Sequence, residues 1–444
     1  MIAGRRHHSK LWTPFLHLHH NHHNPLCCLP VLPGTRTWTA RAACSTSSRR
    51  NLHSHTGDTA TNTTTAATAA AQPPRRRPSF ITSASSWTKL TDAGLKKIPS
   101  PGDSLHPDLG PLLKPLLIPR VVNTEGSRKA LAHFTNFFGD MDWTLHYDNF
   151  SQPTVLSKDP VPFSNFWATL DPPWKKKDNQ EGEIARLVLV AHYDSKIEPQ
   201  GFIGATDSAA PCAMIMHVAK SIDKAMRRKW AQMEKEGDEF AMADEHGFMV
   251  LLLDGEEAFK WWTSEDSIYG ARHLADKWES TMHPAHSTYK NHLSSINLFV
   301  LLDLLGAPNP RIPSYFKTTH WAYQHMADLE IRLRAMDLLE SGKDHSLFLP
   351  DRDKTVFPEG LQIEDDHIPF LRRGVDILHI IASPFPPVWH TMNDDGAHLD
   401  KAVVNDWAVI VSAFVVEWYG LEPFLKDNGD GMKTVSERGN KTEL

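Results

Sequence analysis

Residues 248–253 constrain this chain more than any other stretch. The run Phe-Met-Val-Leu-Leu-Leu is apolar without a break. It is far too short to span a membrane, and it lacks the alternation of a strand with one face in water. Such a run fits a strand buried on both faces inside a sheet. It stops abruptly at Asp254-Gly255-Glu256-Glu257, three acids around a glycine that frees the backbone to turn. Acids gathered at the mouth of a buried strand repel one another and lose hydration. A metal ion, a basic partner or open solvent must compensate them.

The same arrangement recurs along the chain. Residues 186–191 (RLVLVA) run into His192-Tyr193-Asp194, residues 297–302 (NLFVLL) into Asp303, and residues 375–382 (VDILHIIA) into the proline-dense loop that ends at His390. Helical patterns fill the intervals at 128–138, 208–236, 267–279, 321–340 and 401–419, and residues 143–150 alternate like an edge strand. Residues 235–245 read as an exposed insertion and 341–354 as an exposed loop. Strands alternating with helices predict an α/β fold, a three-layer α/β/α domain with a largely parallel mixed central sheet. Ligands of such sheets bind beyond the carboxyl ends of the strands. His192, Asp194, Glu256, Glu257, Asp303 and His390 are therefore expected on one rim, with Asp207 at a helix start nearby. Oxygen and imidazole ligands without thiolate fit zinc in a partly open catalytic site. Histidine disfavours calcium.

Composition bounds what remains. Residues 1–90 carry +10 and the whole chain −6, leaving −16 on residues 91–444, an acidic body that does not suit nucleic-acid binding. Residues 1–105 hold His-rich runs, a Ser/Thr/Ala tract and Arg75-Arg76-Arg77 between prolines, and few apolar residues recur at any period. They are expected to form a disordered or targeting segment, Arg-rich and acid-poor like a transit peptide. Residues 106–425 are expected to be the catalytic domain and 426–444 a polar, frayed tail, with no transmembrane segment anywhere. Cys27, Cys28 and Cys44 precede the body, so Cys212 stands alone in it and reads as a buried apolar residue.

The wording of the motifs goes further. AHYDSK (191–196), GATDSAAPCAM (204–214), DGEEAF (254–259), DSIYGARHLA (266–275), LDLLGAPNP (302–310), DDHIPFLRRGV (365–375) and SPFPPVWHTM (383–392) resemble the glutaminyl-peptide cyclotransferases, which have a zinc aminopeptidase-like fold. The resemblance implies one zinc per chain on Asp207, Glu257 and His390, with Glu256 as general acid/base. It implies that Asp303 and Asp365 complete a hydrogen-bonded carboxylate network beside Glu256. Trp262, Phe385 and Trp389 would wall the substrate pocket, with His379 and Glu364 close by. The substrate class implied is peptides or proteins with N-terminal glutamine, the product pyroglutamate with release of ammonia. A monomer in the secretory pathway or outside the cell is expected on the same ground.

Two positions depart from the family pattern. Ala191 stands where animal members commonly carry a cysteine paired with the one at Cys212, and Glu364 stands where relatives usually have glutamine. Because His192 is retained, ligand types leave a second reading open. A zinc aminopeptidase with paired metals would place its second ion on His192 and Asp303, sharing Asp207.

Overall fold

The computed structural model describes residues 88–177, 181–360, 363–427 and 429–437. The His-rich and Arg-rich character of residues 1–87 lies outside the described residues. The fold is built on a six-stranded sheet in the order β1-β2-β4-β3-β5-β6. Its strands are β1 (Thr144–Thr154), β2 (Ser157–Leu170), β3 (Arg186–His192), β4 (Gly247–Leu253), β5 (Ile296–Asp303) and β6 (Ile377–Ile381). β4, β3, β5 and β6 run parallel, while β1 and β2 form an antiparallel hairpin joined antiparallel to β4. This is the largely parallel mixed sheet expected.

The helices are α1 (Asp92–Lys96), α2 (Glu125–Asp140), α3 (Pro173–Lys177), α4 (Ala210–Glu236), α5 (Glu239–Asp244), α6 (Tyr269–Ser280), α7 (His320–Ala335), α8 (His367–Arg372) and α9 (Lys401–Trp418). Side-chain alternation along the central strands assigns them to two layers. Leu187, Leu189, Phe248, Val250, Leu252, Leu298, Val300 and Leu302 face a core closed by α2, α4, α7 and α9. Val188, Val190, Met249, Leu251, Leu253, Phe299 and Leu301 face a second core with α6 and α8. Every residue of β3 and β4 is buried, which is why residues 187–191 and 248–253 read as unbroken apolar runs. α4 opens with Pro211 in its first turn and closes on Gly237, whose φ of 69° suits a residue without Cβ. Among the described residues no helix is long and apolar enough to cross a membrane.

Several expectations need correction. Packing begins before residue 105: α1 is capped by Thr91, and Leu90, Leu95 and Ile98 are buried in the larger core. These residues sit too sparsely in sequence to reveal a period. The tail is not all frayed either. Ser100 N donates to Lys433 O at 2.7 Å and Val435 N to Ile98 O at 3.0 Å, with Val435 buried. The two ends of the domain thus hold each other in place. β2 is hidden in the sequence, because Pro160, Pro162 and the charged pair Lys158-Asp159 occupy its outer half; only its inner half is buried. The segment 341–354 is anchored rather than exposed. Phe348 and Leu349 are buried, and their N–H groups donate to Glu330 at 2.7 and 2.9 Å. The helix expected over 321–340 ends at Ala335, and α8 and the short α5 lie where no helix was read.

Candidate active site

The site forms where the parallel strands end. After Leu253 the chain turns at Gly255, whose φ is 74° and where a Cβ would lie 2.6 Å from the Phe163 ring. Only glycine fits there. The start of α6 clamps the turn: Tyr269 N donates to Gly255 O at 2.7 Å and Ile268 N to Glu256 O at 2.8 Å. Asp254 points away from the rim and accepts Ser164 N at 2.8 Å, fixing β2. Asp194, counted in sequence among the rim acids, has a supporting task. Its two oxygens accept Glu256 N at 3.1 Å and Glu257 N at 3.2 Å.

Asp207 lies at the kink that leads into α4, with φ −117° and ψ 75°. Its Oδ1 is 3.0 Å from His192 Nε2, and its Oδ2 is 3.5 Å from His390 Nε2. Glu257 Oε2 lies 3.6 Å from the same His390 nitrogen and 3.4 Å from Lys196 Nζ. Asp207, Glu257 and His390 thus offer one ligand atom each within 4.8 Å of one another. Glu257 Oε1 is buried with no partner. These residues fit a metal ion: two carboxylates and an imidazole converge, and one carboxylate oxygen is left unsatisfied. His192, Asp207 and Asp303 form a second such group, and Asp365, His367 and His379 a third.

The remaining acids crowd beside the first group. Asp303 accepts from Ser208 Oγ and from Leu304 N at 2.8 Å, and lies 3.4 Å from His192. Asp365 accepts His379 Nε2 at 2.7 Å and Asp366 N at 2.6 Å. Burial pushes the Glu256 carboxyl well above the ordinary carboxylate range, opposed by His192 and assisted by Glu257 and Asp365. Burial does the same to Asp365, with Asp303 adding to it. Burial alone would raise Asp207 too, but His192 and His390 hold it below the usual range. Burial would lower His192, yet Glu256 and the hydrogen bonds to Asp194, Asp207 and Asp303 raise it well above an ordinary imidazole. Burial takes His379 down to about 4. The cluster carries more carboxyls than cations, an imbalance that a divalent cation relieves.

Two of the residues expected to wall the pocket pack beside His390. Trp389 stacks on His390 with centroids 3.8 Å apart, and Phe385 meets Trp389 edge-on at 4.7 Å. Trp262 Nε1 donates to Glu364 Oε2 at 3.3 Å, tying the loop after Glu257 to the segment leading into Asp365. His379 is buried behind that segment, 4.4 Å from the His367 ring, whose nitrogens have no partner. Cys212 is buried, as expected, and its thiol faces His192 O at 3.2 Å.

Sequence reasoning missed three residues that hold the site in place. Arg120 is fully buried and reaches the carbonyls of Tyr193 (2.7 Å), Ile203 (2.7 Å) and Gly204 (3.2 Å), stapling the loops beside Asp194 and Asp207. Its one signal is a lone arginine among apolar residues and a proline. Asp394 accepts Thr206 N at 2.7 Å, next to Asp207. Asp266 accepts the N–H groups of Phe259, Lys260 and Trp261 between 2.9 and 3.0 Å, shaping the loop that carries Trp262.

Comparison with known proteins agrees with this geometry. Residues 174–415 match peptidase family M28. A glutaminyl-peptide cyclotransferase of Bos taurus is 40% identical over 321 residues, covering 70% of this chain and 81% of the relative. One from Drosophila melanogaster is 38% identical over 320 residues, covering 71% and 81%. The structure of Macrostomum lignano glutaminyl cyclase superposes with a TM-score of 0.64 at 31% identity, covering 77% of this chain and 97% of that one. With its rim of acids and histidines set on this scaffold, the chain belongs to the glutaminyl-peptide cyclotransferase family within the M28 peptidase fold.

Proposed function

We propose that this chain closes the N-terminal glutamine of peptides or proteins to pyroglutamate and releases ammonia, with one zinc ion on Asp207, Glu257 and His390 and with Glu256 as general acid/base. The observation that carries the metal assignment is the convergence of those three side chains, with Glu257 Oε1 buried and unpaired. When bound, zinc supplies Lewis-acid polarisation of the side-chain carboxamide oxygen.

The other steps belong to the chain and to the substrate. The substrate's α-amine and its carboxamide lie in one molecule, so proximity is built in and no water is consumed. At a reference pKa of about 7.7–8.0, a sizeable fraction of the amine must lose a proton before it attacks. The neutral amine then attacks, and Glu256 takes the proton its nitrogen sheds as the bond forms; burial raises the affinity of Glu256 for that proton. The new bond joins the α-nitrogen to the carboxamide carbon. Glu256 returns the proton to the leaving nitrogen as the old C–N bond breaks, and ammonia departs. Asp303 and Asp365 complete the carboxylate network beside Glu256, and burial with the charge of Asp303 keeps the Asp365 carboxyl well above the ordinary range. Trp262, Phe385 and Trp389 exclude water and flank the substrate. His379 orients Asp365, and Glu364 orients the Trp262 indole.

The second group, His192 with Asp207 and Asp303, keeps a paired-metal aminopeptidase as the alternative. What favours the cyclase is that Asp303 Oδ1 already accepts from Ser208 and Leu304, and Asp207 already engages His192. Mass spectrometry of a glutamine-initiated peptide after incubation tests the assignment. Loss of ammonia with the chain intact supports cyclisation; a released N-terminal residue means hydrolysis.

A further inference from the structure

A groove with a volume of about 320 Å³ lies at the junction of α6 and α8. Trp262, Glu364, Ile268, Arg272, Pro369 and Arg372 are among its lining. Glu364 and Ile268 adjoin the catalytic residues Asp365 and Glu256, whereas Arg272 lies one turn on in α6 and Arg372 ends α8. Two backbone hydrogen bonds tie its walls to the catalytic rim. Ile268 N donates to Glu256 O at 2.8 Å, and Ile368 N, on the α8 wall, donates to Asp365 O at 3.0 Å.

The charges along the groove are unevenly matched. Arg373 is balanced by Asp276 and by Glu279 at 2.8 Å. His273 and Lys277 are both committed to Asp148, at 2.9 and 2.8 Å. Arg272 directs its donors to two neutral carbonyls, Ser267 O at 3.2 Å and Glu265 O at 2.9 Å, lies over the Tyr269 ring, and forms no ion pair among the described residues. Arg372 is exposed in the last turn of α8 and forms no ion pair among the described residues. Glu364 puts the opposite sign next to Asp365, held toward the groove by the Trp262 indole.

We propose that peptide residues beyond the N-terminal glutamine lie along this groove, and that its charge order selects among them. Glu364 disfavours an acidic residue directly after the glutamine, while Arg272 and Arg372 favour acidic residues farther on. The six residues of α8 span about 9 Å at the helical rise, the reach of about three residues of extended peptide, so the favoured acids fall at about positions three and four. This selection rests on the cyclase reading of the site. It acts through exposed or half-buried charges, so it belongs in KM and weakens as salt screens it.

The test compares ammonia release from Gln-Ala, Gln-Ala-Ala-Ala-Ala-amide, Gln-Ala-Glu-Glu-Ala-amide and Gln-Glu-Ala-Ala-Ala-amide. At low salt, kcat/KM for the peptide with glutamates at positions three and four should exceed that for the all-alanine peptide about 3- to 10-fold. The ratio should fall toward one in about 1 M salt, where the screening length is about 3 Å. Arg372→Glu should remove or invert that ratio, and Glu364→Gln should lift the penalty on glutamate at position two. Each ratio is formed within one protein, so any general loss of activity cancels. Equal rates for the acidic and neutral peptides, or a ratio that Arg372→Glu leaves untouched, would overturn the groove while Gln-Ala still releases ammonia. Failure of Gln-Ala itself to release ammonia would overturn the cyclase reading and this proposal with it.

Discussion

The carboxylate of Asp194 accepts the backbone N–H of Glu256 at 3.1 Å, and its second oxygen takes that of Glu257 at 3.2 Å. One buried side chain from the end of β3 therefore sets the direction of both glutamates at the end of β4. The two glutamates are adjacent in sequence but have different proposed tasks, one at the metal and one at the proton. A turn left free would let either side chain take the other's place.

Asp194→Ala should therefore weaken the metal site without touching a ligand. It leaves two buried N–H groups unpaired and releases the turn. Loss of such supporting contacts typically lowers metal affinity or activity about 10–100-fold. Competition with a chromogenic chelator measures the affinity. Unchanged zinc retention would show that the clamp from α6 suffices alone.

Glu257→Gln and Glu256→Gln should separate cleanly. The first removes a charged ligand, and the protein should emerge with little zinc and little turnover. The second should keep close to one zinc per chain and lose about 10²–10⁴ in kcat, because a neutral amide cannot accept the amine's proton. Metal content by atomic emission beside kcat decides it. Equal zinc in both variants would sink the assignment of roles.

The central strands were legible because nothing but a doubly covered strand suits an unbroken apolar run such as residues 248–253. The acids at their ends were legible as a set, since several strand ends carrying ligand types converge on one rim in this architecture. What the pattern could not show was division of labour. Asp194 looks like a rim ligand in sequence, yet it holds a turn, and Asp254, one of three acids at the mouth of β4, fixes β2. Arg120 was invisible because its partners are backbone carbonyls, which leave no trace in side-chain spacing. Asp365 and His379 came only from family resemblance, since the hydrogen bond joining them spans fourteen residues and two elements.

Asp394 should make stability depend on pH in a definite direction. Burial, with the charge of Asp207 adding to it, pushes its carboxyl up to about 7, while an unfolded aspartate titrates near about 3.9. Between those values the folded chain holds a proton that the unfolded chain has released. Its contribution is fully present below about pH 4 and is lost as pH rises through about 7. Asp394→Asn keeps an acceptor for Thr206 N and removes the titration. The unfolding free energy of the variant relative to wild type should therefore climb between about pH 4 and pH 7, by at most about 4 kcal/mol. Urea titrations across that range, with chelator present so that bound metal does not neutralise Asp207, measure it. A pH-independent difference would mean that Asp394 is ionised in the folded protein throughout.

The choice of substrate tests pocket and mechanism together. The proposed pocket, with Trp262, Phe385 and Trp389 as its walls beside the buried carboxyls of Glu256, Asp303 and Asp365, should accept an uncharged carboxamide far better than a carboxylate. N-terminal glutamine should be strongly preferred over N-terminal glutamate near neutral pH. Glutamate should become a detectable substrate only in mild acid, where its side chain, with a reference pKa of about 4.3, is partly protonated while some amine remains neutral. Asparagine should fail, because one methylene fewer would force a strained four-membered ring. Acetylation of the α-amine should end the reaction of a glutamine peptide, since that amine is the nucleophile. Ring closure measured by mass spectrometry for all four peptides, with ammonia release for the two amide-bearing free amines and the acetylated peptide, decides the matter. Ammonia from the acetylated glutamine peptide would show that water attacks instead of the amine, and the mechanism built on Glu256 as the amine's base would fall.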